Sequence, residues 1–552
     1  MNFPMLDEYT KGKGESIRRA IEFKGYDARN VIDDGAMRQM RNLSTDEYPY
    51  LAPRKKRGDF QEGDPYTNPR VIMQKNDKLA VITDTAFYYD GTKRFDLKAD
   101  VPGERKMVGI NTRIVIFPDK MWFDTSKADE PSSNYGDLEN TISVTELEFH
   151  KNPVTFESEI TITCGTDFDI SGFNKGDAVS FTGLTTVGFD GYNNNVENAI
   201  IENIDYDNSK IWVAEGWFHY PTEEDEDWSE SGTFTMFRKV PDLDFVLEYN
   251  NRLYGTGGNT IYASKLGDPT NWFFYSTGTA DASYAVEVGT DGDFTGIAPL
   301  PNQIAFFKEN VIHKLYGYKP SNYQLITSRN VFGLEKGSEK SIQLVNNTLY
   351  YKSREGIMAY TGEEPVLISA CFGNDRYYNA VAGTDKVKYY VSMVNRADDT
   401  RHFFVYDILK GLWAEEDKTN ANSFTFYKNM LLYVDNTTMD IKETVGREGD
   451  IHEGDIHWYA RFGDYDEYSE NKKVYSKILM RLQMAEQTEF SVWISVDGGA
   501  WESVCYLNTY FPRAVEMPII PRRCDKFSIL IKGRGDVKIE SLTRIMREGT
   551  CR

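Results

Sequence analysis

The residues that could carry out chemistry in this chain are few and scattered. His452 and His457 in HEGDIH lack the HExxH spacing of a zinc-binding helix. Asp291 and Asp293 in TDGDFTG could mimic part of a calcium loop, but a plain turn is the simpler interpretation. The glycine-rich GTGGN at 255–259 is not followed by a helical pattern, so it does not predict a phosphate loop. We therefore expect no catalytic residue, no metal site and no cofactor, and we do not expect an enzyme.

Turn-forming pairs divide the stretch 244–276, DFVLEYNNRLYGTGGNTIYASKLGDPTNWFFYS, into short strands. Asn250-Asn251 and Gly257-Gly258 both suit left-handed turn geometry. One hairpin cannot bury its apolar face alone, whereas a ring of hairpins can, as in a β-propeller. The residues that we expect to be structural parts of such blades are Asn251, Tyr254, Ile261, Trp272, Phe306 and Tyr350.

Similar hairpin patterns recur before and after this stretch. Several share one design, in which an Asn turn is followed by an aromatic-rich strand, a polar turn and a second strand. About seven such units predict an all-β fold with a β-propeller of about six to seven blades. The other units lie at 75–91, 109–125, 299–317, 344–362, 386–407 and 423–436.

The hairpin pattern is interrupted once and gives way to a different pattern at each end. Short strands with Asn-rich turns between 135 and 240 predict an inserted small β-barrel or sandwich. In the C-terminal part, the alternation of apolar and polar residues and the turn Asp497-Gly498-Gly499 predict a β-sandwich. The N-terminal segment is expected to be extended with short helices, one of them around 36–41. The predicted divisions are 1–70, 71–134 for the first blades, 135–240, 241–444 for the remaining blades, and 445–552.

Composition excludes several classes of protein. The 552 residues are too many for one core. No apolar run approaches the roughly 18–20 residues needed to span a bilayer, and the N-terminus has no apolar signal-peptide core, so we expect folding in a cytoplasm without membrane contact. The five cysteines show no CxxC spacing, which favours reduced thiols. The net charge of −22 disfavours a protein that grips nucleic-acid phosphates, but it suits one that lets DNA pass.

The dense basic cluster is the run Arg54, Lys55, Lys56 and Arg57. It has two interpretations, a solvated loop that neutralises the acidic surface nearby and a contact to an acidic neighbouring subunit or to DNA. If the protein forms a conduit for DNA, the four residues are candidates for a subunit interface.

Five segments together resemble a family of phage structural proteins, the tail-nozzle or "DNA stabilisation" proteins of short-tailed phages. The similarity runs through most of 15–440 and is weaker in 135–240 and in the C-terminal part. The segments are NLSTDEYPYLAPRKKRG (42–58), NNRLYGTGGNTIYASKLGDPTNW (250–272), SYAVEVGTDGDFTGI (283–297), FFKENVIHKLYGYKPSNYQL (306–325) and GLEKGSEKS (333–341).

This resemblance implies a propeller-containing subunit of the virion tail, assembled in the bacterial host cytoplasm. Six copies would form a homo-oligomeric ring below the portal and adaptor, in contact with other tail proteins such as fibres and the tail tip. The ring would retain packaged double-stranded DNA and conduct it during ejection, without sequence-specific binding. The family supplies no catalytic residues.

Two alternative functions are also compatible with the sequence. A carbohydrate-binding propeller that recognises a receptor would use aromatic residues near turns, such as Trp217, Trp228 and Trp272, as platforms for sugar rings. A head-closure or tail-hub protein is the other alternative and is physically close to the nozzle.

Overall fold

The structure is a computed structural model. It describes residues 14–60, 66–130, 134–152, 159–164, 168–222, 227–275, 279–447, 449–451, 453–508 and 513–549. The chain forms two compact units, of which unit 1 comprises residues 1–84, 88–92 and 334–552 and unit 2 comprises residues 85–87 and 93–333. Among the described residues, no helix is long and apolar enough to cross a membrane. The described helices are single 3-10 turns at Thr125–Lys127, Glu215–Trp217, Pro320–Asn322, Glu339–Ser341 and Ala370–Phe372.

Seven four-stranded antiparallel sheets occur in the described part of the chain, and we number them blades 1 to 7. Blade 1 consists of Pro69–Lys75, Lys78–Thr83, Ala86–Tyr89 and Thr92–Asp96. Blade 2 consists of Lys106–Ile110, Arg113–Phe117, Met121–Asp124 and Tyr135–Asp137. Blade 3 consists of Phe245–Tyr249, Arg252–Gly257, Thr260–Ala263 and Tyr284–Glu287. Blade 4 consists of Gly296–Leu300, Gln303–Phe307, Val311–Tyr316 and Gln324–Arg329. Blade 5 consists of Gln343–Val345, Thr348–Lys352, Ile357–Tyr360 and Val366–Leu367. Blade 6 consists of Tyr377–Thr384, Lys388–Asn395, Arg401–Asp407 and Leu412–Asp417. Blade 7 consists of Ala421–Tyr427, Met430–Asp435, Asp440–Glu443 and the N-terminal strand Gly58–Asp59.

The first hairpin of several blades closes through a turn in which both central residues have positive φ. In blade 3 these residues are Asn250 and Asn251, at φ 50° and 60°, and in blade 5 they are Asn346 and Asn347, at φ 48° and 64°. Such a turn matches the right-handed twist of the two strands, and asparagine tolerates its backbone conformation. The recurrent asparagines therefore set the register of the hairpins.

The second strand of each blade is buried on both faces. In blade 4 every residue of Gln303–Phe307 is buried, and in blade 6 every residue of Lys388–Asn395 is buried. A strand buried on both faces reads as a continuous apolar run instead of an alternating one. This explains the runs QIAFF and KYYVSMV in the sequence.

The segment between blades 2 and 3 forms a closed six-stranded barrel, which we call the inserted barrel. Its interior is an apolar core of its own that includes Val144, Phe173, Phe181 and Val213. In spatial order its strands are Asn140–Asn152, Glu159–Thr163, Lys210–Ala214, Ala199–Asp205, Ala178–Thr182 and Asp227–Arg238, and the last pairs with the first.

The C-terminal sandwich consists of two five-stranded sheets in unit 1. One contains Ser16–Ala20, Val537–Glu548, Lys473–Met484, Ala514–Pro518 and Arg523–Cys524. The other contains Met37–Arg41, His457–Phe462, Phe527–Arg534, Glu489–Val496 and Glu502–Leu507. The fold class predicted from the sequence, all-β with a propeller, an inserted barrel and a C-terminal sandwich, is confirmed.

The N-terminal segment differs from its prediction. The short helix expected around 36–41 is wrong, because Met37–Arg41 is a strand that pairs with His457–Phe462. Met37 and Met40 are buried in the core, so tertiary burial outweighs the weak helical pattern of AMRQMR. Leu43–Ser44 then pairs with Ala52–Pro53, and Gly58–Asp59 becomes the fourth strand of blade 7.

Candidate functional site

The residues predicted to be structural parts of the blades lie in blades 3 to 5 or, for Trp272, in the loop of blade 3. Asn251 is exposed in its turn, whereas the five apolar or aromatic residues are buried: Tyr254, Ile261, Trp272, Phe306 and Tyr350. Trp272 has 0% of its surface exposed, and its indole N–H donates to the carbonyl of Pro269 at 2.8 Å. Trp272 therefore cannot serve as an exposed platform for a sugar ring.

Segments that carry the family resemblance build the interior of blades 3 and 4. The guanidinium of Arg252, which is buried, donates to the carbonyl oxygens of Ser264, Ala282 and Ala280. The ammonium of Lys308 donates to Asn259 Oδ1 and to the carbonyl of Thr290, both at 2.7 Å. Buried cations need such acceptors, so these polar residues have structural roles.

The basic run 54–57 is divided by the structure into two inner and two outer residues. Arg54 is 6% exposed and Arg57 is 7% exposed. Arg54 donates to both carboxylate oxygens of Glu453, and Arg57 lies 2.8 Å from Glu416 and 3.0 Å from Asp417. Burial opposes the positive charge of Arg57, but Asp417 and Glu416 hold its pKa above the usual value.

These contacts correct the interface prediction for Arg54 and Arg57, because their charges are already neutralised inside unit 1. Lys55 is exposed, and Lys56 is half-buried with its ammonium 3.5 Å from Asp455. Only these two lysines remain candidates for a subunit contact.

The two other tryptophans considered as sugar platforms lie in the inserted barrel. Trp228 is stacked face to face on Phe149, with ring centroids 4.5 Å apart, and Tyr220 lies against it edge-on. Trp217 is half-buried and packs against the barrel core. Both rings are thus engaged in the packing of the barrel.

The metal-like sequence patterns do not assemble into a site in the part of the chain that the structure describes. No group of three or more His, Cys, Asp or Glu side chains there is placed to hold a metal ion. Asp291 and Asp293 are exposed in a loop that precedes blade 4. His457 is exposed at the start of its strand, and His452 lies outside the described residues.

Among the described residues of unit 2, a polar cavity of about 750 Å³ is the strongest candidate for a binding site. It opens between blade 2, the base of the inserted barrel and the loop 267–270 of blade 3. No sequence pattern pointed to it, because its walls come from six separate stretches of the chain, within 110–113, 122–124, 136–140, 171–174, 238 and 267–270. The side chains that line it include Arg113, Trp122, Asp124, Asp137, Asn140 and Asn174.

Hydrogen bonds hold the walls of this cavity in place. Arg238, at the end of the barrel, donates to the carbonyl oxygens of Gly172 and Leu138, each at 3.2 Å, and forms an ion pair with the buried Asp177. The amide of Asn271 donates to the carbonyl of Gly176 at 2.6 Å, which ties the barrel base to the loop of blade 3. These side-chain bonds to backbone carbonyls connect the barrel base to blade 2 and to the loop of blade 3, and so they hold the walls of the cavity together.

One wall of the cavity is a stack of an indole and a guanidinium on blade 2. Trp122 donates its indole N–H to the carbonyl of Asp137 at 3.2 Å, and the guanidinium of Arg113 lies 4.6 Å from the centre of the ring. Gly136, which pairs with Trp122 on the adjacent strand, leaves room for the indole, because a Cβ there would lie 3.1 Å from the ring. The alternation of blade 2 places Arg113, Trp122 and Asp124 on the same face.

The carboxylates of the cavity are charged acceptors. Asp124 accepts from the backbone N–H and the hydroxyl of Ser126, at 3.0 and 2.7 Å. Partial burial opposes its charge, but these bonds and the nearby Arg113 hold the pKa of Asp124 below the usual value. Asp137 lies 2.6 Å from Lys98, and both of these side chains are exposed.

Comparisons with known proteins do not name a family for this chain. No protein-family model matches it, and no curated protein sequence does either. Among solved structures it is similar to exo-β-1,3-galactanase from Phanerochaete chrysosporium with galactose (10% identity, 54% of this chain and 94% of that chain, TM-score 0.21). It is also similar to PorZ of Porphyromonas gingivalis (11% identity, 87% of this chain and 71% of that chain, TM-score 0.26). A third similar structure is dipeptidyl peptidase 4 of Porphyromonas gingivalis (12% identity, 71% of this chain and 64% of that chain, TM-score 0.28). Similarities this low assign no function.

Proposed function

We propose that this β-propeller protein is a structural subunit of a phage tail. In this proposal, copies form a ring at the end of the tail tube, retain the packaged DNA and conduct it during ejection. Portal, adaptor and other tail proteins would be its partners, and the virion tail its location. The proposal starts from the segments quoted above, whose buried polar residues build blades 3 and 4.

The structural observation that carries the proposal is that N-terminal strands of unit 1 pair with strands from the C-terminal part of the chain. Ser16–Ala20 pairs with the last strand, Val537–Glu548, and Met37–Arg41 pairs with His457–Phe462. Gly58–Asp59 then completes blade 7. Pulling the N-terminal segment away would break backbone hydrogen bonds in three sheets, which suits a part that must withstand the pressure of packaged DNA.

The charge of the chain supports the same function. A net charge of −22 repels phosphates, and this repulsion is screened beyond about 8–10 Å at cellular salt. A basic wall would bind duplex DNA strongly and stall it, whereas an acidic wall leaves it free to slide. The expected partner is thus DNA that passes without being gripped.

Negative-stain images of the purified protein and of virions labelled with an antibody against it test the proposal. We expect a ring in the purified protein, six-fold in symmetry, and label on the tail axis at its far end. Label on appendages at the side of the tail, or absence of the protein from virions, would overturn the nozzle assignment.

A further inference from the structure

We propose that the polar cavity of unit 2 binds a neutral saccharide. This inference goes beyond the proposed structural function and does not depend on it. It rests on the hydrogen-bonding groups, the charge balance and the flat wall of the cavity bounded by blade 2, the barrel base and the loop 267–270.

The cavity presents donors that the protein leaves unused. The guanidinium of Arg113 lies over the Trp122 ring and makes no hydrogen bond or direct ion pair among the described residues, although Asp124 is its neighbour on the adjacent strand. The side-chain amides of Asn140 and Asn174 likewise have none there, although Asn140 is half-buried. A guanidinium carries five N–H donors and an amide carries two donors and an acceptor. A ligand with several acceptor atoms would satisfy them.

Acceptors face the same space. The carboxylates of Asp124, Asp137 and Asp268 line the cavity, and Asp124 and Asp268 are fixed by hydrogen bonds from Ser126 and Thr270. Each carboxylate oxygen has lone pairs beyond those already used. Hydroxyl groups both donate and accept, so a polyhydroxylated ligand fits a site in which donors and acceptors alternate.

The charge balance disfavours anionic ligands, and Arg113 disfavours a cation on the Trp122 ring. The lining holds four carboxylates, at Asp124, Asp137, Glu139 and Asp268, but Lys98 and Lys120 lie 2.6 and 2.8 Å from Asp137 and Glu139 and neutralise them. Of the two guanidiniums in the lining, Arg238 is paired with Asp177, so Asp124 and Asp268 are left against Arg113. This negative balance opposes phosphate and other anions. A cation would compete with Arg113, which already occupies a face of the Trp122 ring. A neutral ligand meets neither obstacle.

The shape of the cavity suits a sugar ring. Arg113 covers the Trp122 ring and Gly136 lies against the same indole, so a sugar ring would pack its C–H face on the planar guanidinium of Arg113 while its hydroxyls bond at the rim. A volume of about 750 Å³ lies within the range of about 300–1,000 Å³ found for small-molecule sites. It leaves room for more than one sugar residue.

The experiment applies the full-length protein to an array of neutral and sialylated glycans and then titrates lactose, maltose and chitobiose by calorimetry. Inorganic phosphate and spermidine serve as anionic and cationic probes. We expect binding of at least one neutral saccharide with a dissociation constant of about 1 mM or tighter. Arg113→Ala and Asn174→Ala are each expected to weaken it about tenfold or more.

The matched control is Arg461→Ala, which removes the guanidinium 5.7 Å from the Trp501 ring on the C-terminal sandwich. It is expected to leave saccharide binding unchanged. Asn174 is exposed, so its variant keeps the test valid if Arg113→Ala fails to fold, and thermal melts of all three variants establish folding. No glycan bound by the wild type, equal binding by Asn174→Ala, or tighter binding of phosphate or spermidine than of any saccharide would overturn the proposal. Tail labelling is unaffected by any of these results, so the two proposals fail separately.

Discussion

Individual residues in this protein are polar and buried more often than the apolar pattern of the blades suggests. Arg252, Lys308 and Arg57 each place a cation in the interior, and each is surrounded by carbonyls or carboxylates. A buried charge is stable only when it is paired and hydrogen-bonded. Such residues fix one arrangement of loops, and their removal leaves an unpaired partner behind.

Phe306 tests the packing of blade 4. It is fully buried in the middle of a strand and packs near Phe294 and Ile304. Phe306→Ala is expected to lower the free energy of unfolding by about 3–5 kcal/mol, because it removes buried surface and leaves a cavity. Chemical denaturation measures the loss. Tyr318→Ala, at a side chain that is 70% exposed, is the control and is expected to change little. A Phe306→Ala transition that overlays the wild type would contradict the placement of this strand.

We expect His313 to make the stability of the protein depend on pH. It is buried between the hydroxyls of Thr290 and Thr327, and burial together with Lys308 and Arg329 lowers its pKa from 6.5 to about 4. Between these values the unfolded chain takes up a proton that the folded chain does not. The contribution of neutral His313 is therefore complete above pH 6.5 and is lost as the pH falls towards 4, by up to about 3 kcal/mol.

Thermal melts from pH 7.5 to pH 4.5, about the range in which histidine titrates, measure this dependence in the wild type and in His313→Gln. The variant is expected to show a shallower loss of melting temperature as the pH falls, since it cannot take up the proton. Parallel curves for the two proteins would show that other groups carry the acid sensitivity.

At the scale of elements, the inserted barrel is closed in its strand pairing, although Asn271 of blade 3 donates a side-chain hydrogen bond to Gly176 at its base. Within the part of the chain that the structure describes, its six strands pair only with one another, and its core is a cluster of its own. The anchors of Arg238 to Asp177, Gly172 and Leu138 also lie within residues 135–240. A closed barrel leaves no sheet edge that requires the rest of the chain.

The fragment 135–240 expressed alone is therefore expected to unfold cooperatively on heating and to give dispersed amide chemical shifts. The variant Phe181→Asp, which places a charge in the barrel core, is the matched control and is expected to abolish the transition. Random-coil shifts for the wild-type fragment would mean that the barrel depends on blades 2 and 3.

At the scale of the whole molecule, we expect the buried and the outer residues of the basic run 54–57 to have different roles, the former in folding and the latter in assembly. Arg57→Ala is expected to destabilise unit 1 by about 3–5 kcal/mol, because it leaves the buried Glu416 without its partner. The double variant Lys55→Ser and Lys56→Ser is expected to melt within about 2 °C of the wild type. If the two lysines contact an acidic neighbour in the tail, the double variant will fold and yet fail to attach to virions. Normal attachment would remove the last candidates of this run from the interface.

The acidic balance of the chain predicts its behaviour towards DNA. We expect no duplex binding by the purified protein at physiological salt, measured by fluorescence anisotropy of a labelled duplex. Binding that is tight and falls with salt would contradict a passive conduit and indicate a protein that grips DNA.

The sequence by itself determined the local architecture. Asparagine turns, apolar strand runs and their repetition predicted blades, because a hairpin is specified by adjacent residues. The change of pattern near 135 and 240 predicted the insertion, and Asp497-Gly498-Gly499 with its alternating flanks predicted a hairpin of the sandwich. Burial of Tyr254, Ile261, Trp272, Phe306 and Tyr350 follows from the same periodicity.

Only the tertiary structure decided which distant parts meet. Met37–Arg41 becomes a strand because its partner lies at His457–Phe462. Arg57 can be buried because Glu416 and Asp417 neutralise its charge. The cavity depends on the meeting of blade 2 with the barrel base and the loop 267–270. Pairing between residues hundreds of positions apart leaves no local periodicity, so composition and spacing could not reveal these contacts or the groups they bring together.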